Sequence, residues 1–452
     1  MQENMLEKNI GLSAALSTVI GGVIGSGVFF KPQIIFTSTG GAPGLGVVGW
    51  LIAGLITITA GLTMAELAAV IPKTGGMMIY IKEIYGDKIG FLAGWVQVML
   101  FFPGLIAALA VIFAEQFVVL SGLSYLKIPV AFFIIVLLSI LNSVASKSGG
   151  IIQNTSTICK LAVLLILIFS GFLLEKGNNN IISPMVSKDV KLMSSFGQIL
   201  LATFFAFDGW INVTALAGEM KDPGKDLPKA IIGGLSIVAA IYFIINISYL
   251  WVVPANELSS SVSPASTVAM KLFGPIGGSL IGIGIMISVF GACNAYIMTG
   301  SRVLYALSKD AVLPKSDFIS RINKNNVPGN SILIISILSC IYAASGQFNL
   351  LTDFAVFAIW IFIVLSFIGV FILRKRMPDI VRTYKVPLYP FIPIIAILSG
   401  LFVLVNQLIS NPLLSLGSIA IMFLGLLVYK YMQFKKKINS SITKKEKDPS
   451  FN

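Results

Sequence analysis

The chain has 452 residues, of which 56% are hydrophobic and 11% charged, against roughly 25% charged in an average soluble domain. Its 32 basic and 19 acidic residues give a net charge of +13, yet so few charges on so apolar a chain argue against a soluble enzyme or a nucleic-acid binder. Histidine is absent, which removes the usual metal ligand, general base and pH switch; no metal or other cofactor is expected.

Apolar runs of about 20 residues, each long enough to cross a hydrocarbon core of about 30 Å, recur twelve times. They cover 11 to 38, 44 to 70, 90 to 119, 128 to 146, 150 to 175, 195 to 218, 228 to 252, 275 to 304, 329 to 345, 350 to 373, 390 to 410 and 413 to 433. The fold class is therefore an all-α polytopic membrane protein, with backbone polar groups satisfied inside helices. The first span is longer than a signal-peptide core and only Lys8 precedes it, so it is expected to be retained.

Within the first span, Gly21, Gly22, Gly25 and Gly27 fall in the run GGVIGSGVFF. Glycine inside a helix costs roughly 1 kcal/mol relative to alanine, so the cluster predicts a local unwinding. The sixth span carries a comparable interruption, FAFDGW, around Asp208 and Gly209. Breaks at the start of each of two five-helix sets point to a transporter built from inverted repeats, with its substrate site at mid-membrane. Close helix packing by small residues is the plainer explanation of the glycines.

Lys160, in NTSTICKLAVLLIL, lies about ten residues inside the fifth span. Burying a lysine there costs about 2.5 to 3.5 kcal/mol or more, so it is expected to have a partner and a task. Lys31 counts as an outside residue, which leaves Lys160 as the lone lysine at membrane depth. The carboxylates Glu66, Glu115 and Asp353 are expected in structural pairings. Cys159, Cys293 and Cys340 all fall in apolar segments and read as small core residues.

With a cytoplasmic N-terminus, 25 of the 32 basic residues fall on the inside, including the tail Lys435, Lys436, Lys437, Lys444, Lys445 and Lys447. The positive-inside rule then puts both termini in the cytoplasm, with the basic tail, 434–452, against anionic lipid.

An unwound helix exposes amides at the start of its second half and carbonyls at the end of its first. The amides of Gly25, Ser26 and Gly27 are expected to attract a carboxylate. Free carbonyls of Val23, Phe205 and Asp208 would accept from an ammonium. A molecule carrying both groups on one carbon is an α-amino acid.

The runs VIGSGVFFKP, FFAFDGW and GEMKDPGKDLPKAI resemble the amino acid/polyamine/organocation superfamily, specifically bacterial relatives of the L-type amino-acid transporters. The resemblance implies two inverted repeats (1–175 and 195–373), two peripheral helices (390–433), and alternating access within one transporter domain spanning 1–452. It implies that Ser26 and Gly27 hold the substrate carboxylate, that carbonyls of Val23, Phe205 and Asp208 hold its amine, and that Phe205 closes over it. It further suggests that the Lys160 ammonium replaces a coupling sodium, reaching first-span carbonyls and eighth-span contacts from Ser288 or Asn294.

The resulting expectation is sodium-independent exchange of α-amino acids with neutral side chains across the cell membrane. The alternative is a proton-coupled or exchange carrier of cationic amino acids or polyamines, with Asp208 meeting the distal charge. A sensor that binds without transport lacks an output module, and an enzyme lacks a clustered nucleophile and base. Animal relatives join a glycoprotein through a cysteine between spans three and four; here that loop, SGLSYLKI, has none, so no disulfide-linked heavy chain is expected.

Overall fold

The computed structural model describes residues 11–446 except 74, 145, 176, 178, 179, 311 and 326, and describes the backbone alone at 146–154, 216, 218, 219, 437 and 439–446. Lys8, Lys176 and Lys447 therefore lie outside the described residues, as do the side chains of Lys147, Glu219, Lys437, Lys444 and Lys445.

Among the described residues every regular element is a helix. The first span is split into α1 (Leu12–Val23) and α2 (Gly27–Ser38). It is followed by α3 (Gly44–Val70), the short α4 (Met77–Tyr85), α5 (Asp87–Val96) and α6 (Phe102–Ser121). Next come α7 (Lys127–Val144), α8 (Ser146–Leu174) and α9 (Leu192–Ala206), which ends at the second break; a 3-10 segment, Trp210–Glu219, continues the sixth span. The remainder is α10 (Pro223–Val252), α11 (Ala255–Ser260), α12 (Pro264–Lys309), α13 (Ser316–Ile319), α14 (Gly329–Ala343), α15 (Phe348–Arg376), α16 (Phe391–Ser410) and α17 (Pro412–Glu446).

Eleven of these segments are long and apolar enough to cross a membrane, and the ninth expected span is the shorter apolar helix Gly329–Ala343. One irregularity is absent from the sequence reading, and a second agrees with it. A π-turn at Gln97–Phe101 joins α5 to α6, just before Pro103, which cannot donate to the Met99 carbonyl four residues back; the Tyr342 hydroxyl supplies a donor to that carbonyl at 2.8 Å. Gly274, at φ 70°, breaks α12 ahead of Pro275, so the eighth span proper begins there. The expected eighth span, 275 to 304, starts at this same Gly-Pro pair.

The centre and edge of the bundle follow from burial. The most apolar stretch of the third span is 89% buried, against 22% for Ser124–Val144, 28% for α16 and 17% for α17, so these three helices lie at the edge of the bundle. The core lies around the breaks: α1 packs on α8, α10 and the 3-10 segment, while α2 packs on α9 and α12.

Candidate functional site

The two breaks face each other through their glycines. The first spans Ile24 to Ser26, and a Cβ on Gly22 would come 3.3 Å from the Gly209 carbonyl oxygen. Gly209 has φ 99°, and a Cβ there would stand 2.5 Å from the carbonyl oxygen of Gly22 and 3.2 Å from the Tyr296 hydroxyl. Glycine is needed at Gly209 both for its left-handed backbone and for this close approach. A Cβ on Gly27 would fall 2.4 Å from the Ala206 Cα, so the start of α2 rests directly on the end of α9.

At the first break the acceptors are held and the donors are free. Lys160 donates to the Gly21 carbonyl at 2.8 Å, the Tyr242 hydroxyl to Val23 at 3.0 Å, and the Ser288 hydroxyl to Gly25 at 3.4 Å. These side chains come from the fifth, seventh and eighth spans. Among the described residues no backbone carbonyl accepts from the amides of Gly25, Ser26 or Gly27, and the buried Ser26 hydroxyl has no hydrogen-bond partner. Such unpartnered groups carry a desolvation cost of about 1 to 3 kcal/mol each, which an anionic acceptor would relieve.

The carbonyls expected to be free are partly taken, a correction to the sequence reading. Val23 accepts from Tyr242, and the Phe205 carbonyl accepts from the Asp208 amide at 3.0 Å because the chain tightens as α9 ends. Each retains a second lone pair. The Asp208 carboxylate accepts from the Tyr296 hydroxyl at 2.7 Å and is buried, so its side chain is engaged within the protein. Phe207 packs against Trp50 and Tyr242, and Trp210 is buried beside it in sequence.

Lys160 is fully buried, and its described hydrogen bond runs to the first span. Of the two eighth-span candidates, Ser288 bonds to Gly25 of the break. Asn294 lies in a separate contact, accepting from Asn142 at 2.8 Å and donating to the Met298 sulfur.

Lys31 overturns the view that Lys160 is the lone lysine at membrane depth. It is 1% exposed, donating to Thr352 Oγ1 at 2.8 Å and Asn349 Oδ1 at 3.1 Å, with Asp353 at 3.8 Å. Its ammonium lies 4.7 Å from the centre of the Phe205 ring and 5.0 Å from that of Phe348. The sequence signal was its register, four residues beyond Gly27 on one helix face; its partners are more than 300 positions away.

Glu66 and Glu115, expected in structural pairings, are paired. Glu66 takes a two-pronged contact from Arg374 at 2.8 and 2.6 Å and accepts from the Val386 amide at 2.8 Å. Glu115 meets Lys127 at 2.7 Å.

The family model described as amino acid permease matches residues 10–429. The chain belongs to the amino acid permease family. It is an amino-acid transporter and not an enzyme, and its apolar helices make it a multi-pass membrane protein. It is 40% identical over 438 residues to the serine/threonine exchanger SteT of Bacillus subtilis, covering 96% of this chain and 99% of that protein. It is 29% identical to the human b(0,+)-type amino acid transporter 1, over 97% of this chain and 91% of that one. It is 30% identical to the human large neutral amino acids transporter small subunit 2, over 96% and 82%.

Proposed function

We propose that this amino acid permease exchanges α-amino acids with neutral side chains across the cell membrane, without sodium, by alternating access. The observation that carries the reading is the set of unpartnered donors at Gly25, Ser26 and Gly27, in a break whose carbonyls are already held. A substrate carboxylate fits those donors at the N-terminus of α2, where the helix dipole adds about 0.3 to 2 kcal/mol. The remaining lone pairs of the Val23 and Phe205 carbonyls, with the Asp208 carbonyl, would take the substrate amine. Phe205 would cover it.

Lys160 places its side-chain nitrogen at the end of α1, where it would stand in for a loose coupling cation. The likeness to SteT, a serine/threonine exchanger, supports small neutral substrates and exchange. The engagement of Asp208 by Tyr296 speaks against a distal-cation site, and hence against Arg, Lys or polyamines as preferred cargo. In this reading residues 1–175 and 195–373 form the inverted repeats, both termini are cytoplasmic, and no disulfide-linked subunit is needed, since the loop Gly122–Leu126 has no cysteine.

The test is counterflow in proteoliposomes of the purified protein, preloaded with serine and supplied with labelled neutral amino acids in sodium and in choline buffers. Equal accumulation in both buffers is expected. Absence of counterflow for every neutral amino acid, or a strict need for sodium, would overturn the reading.

A further inference from the structure

The proposed exchange leaves Lys31 without a task. It shares a face of α2 with Gly27 one turn away, about 6 Å along the helix. Gly27 belongs to the donor set at the break, so the ammonium of Lys31 stands just beyond that set. It lies over the ring of Phe205 at 4.7 Å, the residue whose carbonyl accepts from the Asp208 amide.

A cavity of about 300 Å³ is lined in part by Phe30, Gln33, Phe348 and Asn349. Asn349 is an acceptor of Lys31, and Phe348 is the second ring under its ammonium. Gln33 places this cavity farther along α2 from the break than Gly27. Along α2, Lys31 lies between Gly27 at the break and Gln33 on the cavity wall.

Asp353 offsets part of the field of Lys31 but does not bond it closely. Its short hydrogen bonds go to the neutral Thr352 and Asn349, while Asp353 stands off at 3.8 Å and is 28% exposed. Of this pair it is the ammonium that lies over Phe205. Glu115, on the cavity wall, is neutralised by Lys127 at 2.7 Å.

We propose that Lys31 is a specificity-determining residue, a fixed positive charge on the entrance side of the substrate site that disfavours amino acids with cationic side chains. This rests on the exchange reading above. A lone unit charge acting over about 10 Å at an effective dielectric near 20 is worth roughly tenfold; with Asp353 3.8 Å from it, the discrimination is about twofold.

The experiment compares inhibition of labelled-serine counterflow by arginine and by its neutral isostere citrulline. In the wild type, arginine is expected to be at least about twofold weaker. Lys31→Met should bring that ratio close to one, whereas Lys31→Arg should preserve it. Asp353→Asn, which removes the nearest counter-charge and leaves the Thr352 and Asn349 bonds in place, should raise it. An unchanged ratio in Lys31→Met overturns the inference while leaving the exchange reading intact. Should Lys31→Met be inactive, Asp353→Asn decides: an unchanged or lower ratio overturns the proposal. No serine counterflow in the wild type would instead remove the exchange reading, and this inference with it.

Discussion

Gly27 and Ala206 meet where the two helix breaks cross, so closely that a Cβ on Gly27 would stand 2.4 Å from the Ala206 Cα. Backbone lies on both sides of this contact, and no flexible side chain can yield. Gly27→Ala is expected to cost about 1 to 3 kcal/mol by overpacking and to abolish exchange by displacing the donor amides. Gly417→Ala, where nothing lies within 4 Å, should instead be neutral or gain up to about 1 kcal/mol of helix stability. Thermal melting of both purified variants checks the opposite signs.

Lys160 ties the fifth span to the end of α1 through the Gly21 carbonyl, 2.8 Å away. Lys160→Ala removes the donor and leaves a buried carbonyl unpaired, a loss of about 1 to 3 kcal/mol. If the charge stabilises the break during the transport cycle, the initial rate of counterflow falls by about tenfold or more while the protein stays monodisperse in detergent. Retention of the wild-type rate would deny Lys160 a part in transport.

Glu66 is 1% exposed and held by Arg374, by Arg382 at 3.5 Å and by the Val386 amide. It fastens the segment that follows α15 to the end of α3. Glu66→Ala strands the Arg374 guanidinium, and removing one partner of a buried pair typically costs about 3 to 5 kcal/mol. A large drop in melting temperature is expected without a change in substrate preference. Parallel melting curves and competition profiles test the two halves of that statement.

Lys82 lies outside the membrane spans and joins α4 to the end of α12, with Asp310 at 2.8 Å and Asp87 at 3.6 Å. The hydrogen bond to Asp310 is the main cause that raises the Lys82 ammonium above its ordinary value of 10.5, with partial burial opposing it. A raised folded-state value means that the lysine's contribution is complete below 10.5 and is lost as pH climbs through the higher folded value. Wild-type stability should therefore decline more steeply than that of Lys82→Met above pH 10.5, with parallel profiles between about pH 7 and 9. Melting temperatures across that alkaline range provide the check.

Much of this protein is written locally. Hydropathy determines the twelve apolar helices, because a run of about 20 residues meets the bilayer thickness with no help from the rest of the chain. The glycines of GGVIGSG and the DG of FAFDGW determine where the first and sixth spans break, since the cost of helical glycine is paid residue by residue. Tertiary structure alone decided what each break presents. Tyr242, Ser288 and Lys160 reach the carbonyls of Val23, Gly25 and Gly21 from helices 139 to 263 positions away, so that the break presents free donors beside carbonyls that are already partly engaged. Lys31 marks the same boundary: in sequence it counts as an outside residue, and only α15, bringing Asn349 and Thr352 beside it, makes it a buried lysine. A buried ion is defined by what surrounds it, and those surroundings come from the far end of the chain.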